Sequence, residues 1–213
     1  MPNLLLLLIS FLICSPSESR MAAILDQDLS ELLIPSSEFL GFIGEDKQRI
    51  YMQFDSLWKD VDQKNLYHLK GHSIVKSNRC DFKGLLIIEG ISEDEDLPRE
   101  LDKKSPNPEW LSAGKIKGRY LFSENPEQKH VGIFSGSYWC TYLLKRDGEL
   151  SSNEVNRSSD DFRDHQYEGF WRAYEDDNSR VCNWGLARIP KSGDLDIGAA
   201  EFSANPKYQE QGW

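Results

Sequence analysis

From residue 47 onward the chain reads as short runs of alternating apolar and polar side chains, separated by turn-rich segments. Strict alternation marks a half-buried strand, because successive side chains point to opposite faces. Ile50, Met52 and Phe54 alternate with Arg49, Tyr51, Gln53 and Asp55, and the phase carries on through Ser56 to Trp58. A second run over 66–76 puts Tyr67, Leu69 and Val75 on one face, with Gly71 between them marking a bend or bulge. Residues 82–91 are apolar on both faces over 85–88, which predicts a central strand covered on both sides. Residues 115–124 set Ile116, Gly118, Tyr120 and Phe122 against Lys115, Lys117, Arg119 and Ser123, and a long return strand follows over 131–145.

Residues 167–202 hold three further runs, separated by turn tetrads at 176–179 and 191–194. That spacing predicts an antiparallel meander. In its first run Tyr167, Gly169, Trp171 and Ala173 share one face, opposite Glu168, Phe170, Arg172 and Tyr174. A glycine beside a tryptophan leaves room against a ring face or for a second backbone to approach. The whole pattern predicts an all-β fold of about eight antiparallel strands, a meander barrel or barrel-like sandwich, forming a single domain over 47–213. The Gly169-Phe170-Trp171 triplet resembles the G-x-W fingerprint of lipocalins and calycins. There it lies on the first strand, whereas here it lies about four-fifths of the way along. The resemblance therefore implies a calycin-like barrel at the level of fold and carries over no ligand residues.

Ahead of the β-domain, residues 20–46 read as a helix and a linker. Leu25, Leu29, Leu32 and Leu33 make one apolar stripe of a helix over 22–34, which Pro35 ends. Such a helix is expected to pack as a lid or plug on the β-domain. Residues 36–46, with Gly41 and Gly44, read as linker. Residues 1–19 read as an export signal: 4–14 is apolar apart from Ser10, too short to span a bilayer, and Ser17 and Ser19 fit the small positions of a cleavage site. The expected location is secreted or periplasmic. A start at Met21 gives the alternative, a cytoplasmic protein. Two polar excursions, 92–113 and 150–165, carry an acidic run at 93–96 and the glycosylation sequon Asn156-Arg157-Ser158.

Charge narrows the class. With 35 Asp and Glu against 25 Lys and Arg, the net charge of −10 argues against binding a nucleic-acid backbone, which needs clustered base. Removing the export signal leaves Cys80, Cys140 and Cys182. Cys140 lies in the aromatic run Tyr138-Trp139-Cys140-Thr141-Tyr142 and is expected as a buried thiol, while Cys80 and Cys182, among turn-like and strand-edge residues, are the expected disulfide. No paired Cys or Cys/His spacing suggests a metal, and no glycine-rich phosphate loop or nucleophile elbow suggests a cofactor or an acyl enzyme.

The candidate chemistry is aromatic. Tyr120, Trp139, Trp171 and Trp184 fall on predicted strands, and together they would make a stacking platform for a glycan or small amphipathic ligand. A second reading is a carboxylate hydrolase of the glycoside type, drawing on Glu124, Glu175, Glu201, Asp194 and Asp196, because that chemistry needs two acids facing across a cleft. A third is a protein-interaction module without a cavity. His68 and His72 share a strand face but stand ~13 Å apart along it, too far to clip one ion. They read as surface histidines, with His130 in a turn and His165 in a polar loop.

Overall fold

The computed structural model describes residues 16–35, 37–94, 110–152 and 162–213. The strands are β1 (Phe39–Ile43), β2 (Gln48–Lys59), β3 (Leu66–Val75), β4 (Asn78–Glu93), β5 (Trp110–Glu124), β6 (Gly132–Lys145), β7 (Leu150–Ser152), β8 (Asp164–Ala173) and β9 (Ser179–Leu186). Every pairing between them is antiparallel. Running β1-β2-β3-β4-β5-β6-β8-β9 and back to β1, eight strands close into a barrel, and β7 is a short addition beside the end of β6. Closure leaves the wall without the unpaired edges an open sheet presents.

The expected barrel is therefore present, but its strands are not all the expected ones. The presumed linker supplies β1, whose residues Phe39 to Ile43 pair with β2 on one side and β9 on the other. Its F-L-G-F-I run does not alternate because both faces are covered. Phe39 and Ile43 join the barrel core, while Phe42 lies on the outside under Ile189 and Leu195 of the C-terminal tail, with Leu40 packed alongside. The third run of the expected meander, 195–202, is not a strand. Asp196 gathers it into a loop by accepting from Gly198 and Ser203 N–H and from the Arg188 guanidinium at 2.6 Å, and Leu195 plugs onto Phe42.

Two further differences have local causes. The β2 phase does not continue to Trp58. A bulge between Phe54 and Ser56 shifts the register, so Leu57 turns inward and Trp58 stands 44% exposed, stacked on His68. In β4, Leu86 and Ile88 face the core, but Leu85 and Ile87 are only half-buried on the outer wall, so the strand is not covered on both sides. His165 is likewise no surface histidine: it is 2% exposed, with its ring Nε2 at 2.9 Å from the Leu32 carbonyl.

The predicted inward faces of β5 and β8 hold. Ile116, Tyr120 and Phe122 from β5, Phe134 and Tyr138 from β6, Tyr167 from β8 and Trp184 from β9 fill the lumen with Phe39, Phe54 and Phe82. Tyr167 stacks on Trp184 at 5.1 Å and on Tyr138 at 5.5 Å, and Tyr120 meets Trp184 edge-on at 5.1 Å. Glycine makes this density possible at two places. A Cβ on Gly169 would lie 2.1 Å from the Ser135 carbonyl and 2.6 Å from the Tyr120 hydroxyl, and one on Gly41 would lie 2.5 Å from the Trp184 Cβ. The G-x-W glycine thus serves close approach, as its position beside tryptophan suggested.

One end of the barrel is stoppered. Helix α1 (Pro16–Asp26) and the single turn α2 (Ser30–Leu33) replace the one expected helix, broken where the Asp28 carboxylate accepts the Ser30 N–H at 3.0 Å and its hydroxyl at 2.6 Å. Ile24, Leu29, Leu32 and Leu33 are buried in the barrel core. Lys59 Nζ donates to the Leu25 and Gln27 carbonyls at 2.7 and 2.6 Å, a cation on the end of α1 where the helix dipole is negative. The Tyr67 hydroxyl accepts the Leu29 N–H at 3.1 Å, and Arg20 pairs with Glu93 at 2.7 Å. The apolar run of the expected export signal, most of the 92–113 excursion and the sequon lie outside the described residues, while α1 runs across the expected cleavage position after Ser19.

The expected Cys80–Cys182 bridge is absent: Cys80, Cys140 and Cys182 are all free and buried. β4 and β9 are four strands apart whichever way the wall is followed, so the two thiols come from opposite sides of the barrel. With neighbouring strands ~4.8 Å apart, that is beyond the reach of a disulfide. Burial pushes the Cys140 and Cys182 thiols well above the ordinary range. Two outcomes follow. Replacing Leu33 by Ala is expected to lower stability by about 2–5 kcal/mol in urea denaturation, as for other buried leucines. Alkylation followed by peptide mapping is expected to label Cys80, Cys140 and Cys182 in denaturant and to leave Cys140 and Cys182 unlabelled in the native protein. A mapped cross-link among them would contradict the fold.

Candidate functional site

The strands leave their opposite end open. There residues near the ends of β1, β3, β5 and β8 and near the starts of β2, β4, β6 and β9 surround a cavity of about 400 Å³. Ile43, Ile50, Val75, Phe134 and Trp171 give it apolar walls. Ser73, Cys80 and Glu124 are its buried polar lining, and Asp46, Lys76, His130 and Arg180 come from turns and strand ends around it. Lys76 and His130 both adopt the left-handed backbone region, at φ 55° and 56°, which β-carbon-bearing residues seldom occupy.

Glu124 is the central feature. It is the next inward position after Tyr120 and Phe122 on β5, so the alternation that fills the lumen with rings places a carboxyl where the rings stop. It is only 3% exposed. Its Oε1 accepts from the Ser73 hydroxyl at 2.6 Å, and its Oε2 accepts from the Gly132 N–H at 2.8 Å and the Trp171 indole N–H at 2.9 Å. Burial pushes its pKa above the usual carboxylate value, and the Ser73, Trp171 and Gly132 bonds offset only part of that. Among the described residues no basic side chain bonds it. The Arg180 guanidinium lies instead over the Trp171 ring, 5.8 Å from its centre.

The four aromatic candidates do not form one surface. Tyr120 and Trp184 touch each other, but both are packed into the filled lumen at 3% and 0% exposure. Trp171 borders the mouth cavity. Trp139 points outward from β6, under Lys115 at 4.5 Å, beside a separate recess of about 410 Å³ in the outer wall. The candidate acids do not converge either. Glu175 and Glu201 are exposed, Asp194 is tied to Lys207 and Tyr208, and Asp196 to Arg188, so Glu124 faces none of them. Sequence reasoning had Glu124 among the acids but missed Ser73 and Gly132 as its partners. They are brought to it by pairing across β3, β4, β5 and β6, which local alternation does not show.

Among the described residues no group of three His, Cys, Asp or Glu side chains is placed to hold a metal ion, and no helix is long and apolar enough to cross a membrane. Compared with known protein families, curated proteins and solved structures, the chain matches none of them.

The buried carboxyl makes stability depend on pH in a stated direction. A folded-state pKa raised above the unfolded value means that the native state holds the proton more tightly, so the associated stability is full below the unfolded pKa and is lost as pH rises through the folded one. Replacing Glu124 by Gln removes that loss. Urea denaturation from about pH 4 to pH 8 is expected to show the Gln variant gaining on the wild type as pH rises. A constant difference would mean that Glu124 titrates as an ordinary exposed acid.

Proposed function

We propose that the protein is a binding protein that holds a small amphipathic molecule in the mouth cavity, its apolar part against Trp171 and Phe134 and its polar part at Glu124. The observation that carries this reading is a buried carboxyl on the floor of a recess with apolar walls and a charged rim, bonded to the wall by three donors and still bordering the cavity. Ligand sites commonly combine apolar walls with a few fixed polar groups of this kind. A volume of about 400 Å³ suits a small molecule better than a glycan chain. The flat aromatic platform that a glycan would use is not assembled by Tyr120, Trp139, Trp171 and Trp184.

The hydrolase reading has less behind it. A glycosidase needs two carboxyls about 5–9.5 Å apart across a cleft, and the other acid lining this cavity, Asp46, is an exposed turn residue.

Binding of small amphipathic fragments, followed by saturation-transfer NMR, tests the location. Val75→Trp is expected to fill the cavity and weaken binding at least tenfold, whereas Trp139→Ala on the outer wall leaves it unchanged. The reverse pattern would move the site to the outer recess.

A further inference from the structure

Building on the reading of the mouth as a binding cavity, we propose that its ligand is a small organic cation carrying an N–H donor and an apolar or aromatic body. The bonding around Glu124 carries the inference. An ionised carboxylate offers about four acceptor positions. Gly132 and Trp171 take both on Oε2, and each of those N–H groups can only donate. Ser73 takes one on Oε1, leaving one acceptor position on that oxygen unclaimed among the described residues. The wall is thus built to hold Glu124 as an acceptor, and among the described residues no basic side chain bonds it.

The walls suit the same guest. Trp171, whose N–H fixes the carboxylate, turns its ring toward a cation, as the Arg180 guanidinium 5.8 Å from the ring centre shows. An ammonium group resting between that ring and Oε1 would receive a cation–π contact and a charge-assisted hydrogen bond together. Phe134, Ile50 and Val75 would enclose the apolar body.

Lys76 and Arg180 also line the cavity and oppose a cation, but Asp46 balances part of their charge. Arg180 and Lys76 are exposed, where water screens charge, whereas Glu124 is buried, where charge acts more strongly. Their place around the cavity, with the carboxyl at its floor, orients the cationic end inward.

The test uses three probes of one shape: benzylammonium, benzyl alcohol and benzoate, titrated calorimetrically into the full-length protein at about pH 8 and about pH 5. Benzylammonium is expected to bind at least tenfold more tightly than the other two at the higher pH. Its affinity is expected to fall as pH is lowered and Glu124 takes up a proton. Asp46, Lys76, Cys80, His130 and Arg180 also face the cavity. Glu124→Gln separates its contribution from theirs: it is expected to abolish the benzylammonium preference over benzyl alcohol and to flatten its pH dependence. If that variant does not fold, the order of the three probes on the wild type decides. Tighter binding of benzoate or benzyl alcohol overturns the cation and keeps the cavity as a binding site. Binding of none of the three overturns both.

Discussion

The packing of rings in the barrel lumen is the constraint on which the rest depends. Tyr167 lies flat on Trp184 and Tyr138, Tyr120 and Phe134 meet Trp184 edge-on, and Phe39, Phe54, Phe82 and Phe122 continue the contacts along the barrel. Each such pair is worth about 0.5–1.5 kcal/mol beyond the area it buries. An eight-stranded barrel has an interior just wide enough for side chains to fill or for one small ligand. Here the side chains have taken the middle, and the N-terminal helices have taken one end. The space that the lumen leaves for a guest is at the other end, and the chemistry of that end is set by which residues come next in phase on the same strands.

On β5 the next residue is Glu124, and the cost of burying its carboxyl shapes the surroundings. A charge removed from water must be hydrogen-bonded, shifted in pKa, or both. Glu124 shows both responses, with three donors converging from β3, β6 and β8 and a pKa still raised by burial. The donors also tie strands together at the mouth, where the lumen is emptiest. The Tyr174 hydroxyl adds a fourth link by donating to the Glu124 carbonyl at 2.6 Å. One residue thus serves wall and site at once, and a substitution there is expected to register in both stability and binding.

Much of this was legible in the amino-acid order. The alternation on β5 and β8 identified the inward sets correctly, and Gly169 beside Trp171 pointed to close backbone approach. The misreadings came from residues whose surroundings are distant in sequence. Phe39–Ile43 lacks alternation because the tail beyond residue 187 covers its outer face, so a wall strand looked like a linker. The 195–202 run alternates by composition, yet Asp196 draws it into a loop through Arg188 and local N–H groups. Trp58 was assigned the wrong face because a single unpaired residue, Asp55, reverses the phase of β2. Cys80 and Cys182 both carried plausible local surroundings for a disulfide, and only strand order shows that they face each other from opposite walls. The aromatic candidates failed as a group for a related reason: residue type and strand membership do not tell lumen from mouth or outer wall.

The central claim is that the ring-packed lumen is closed to a guest and the mouth beside Glu124 is open to one. Indole N–H resonances in a protein labelled with 15N at tryptophan report on both places in one spectrum. When a small ligand is bound, the Trp171 indole signal is expected to shift while those of Trp184 in the lumen and Trp139 on the outer wall stay in place. A shift at Trp184 with Trp171 unmoved would show that the lumen admits the guest, and would contradict the claim.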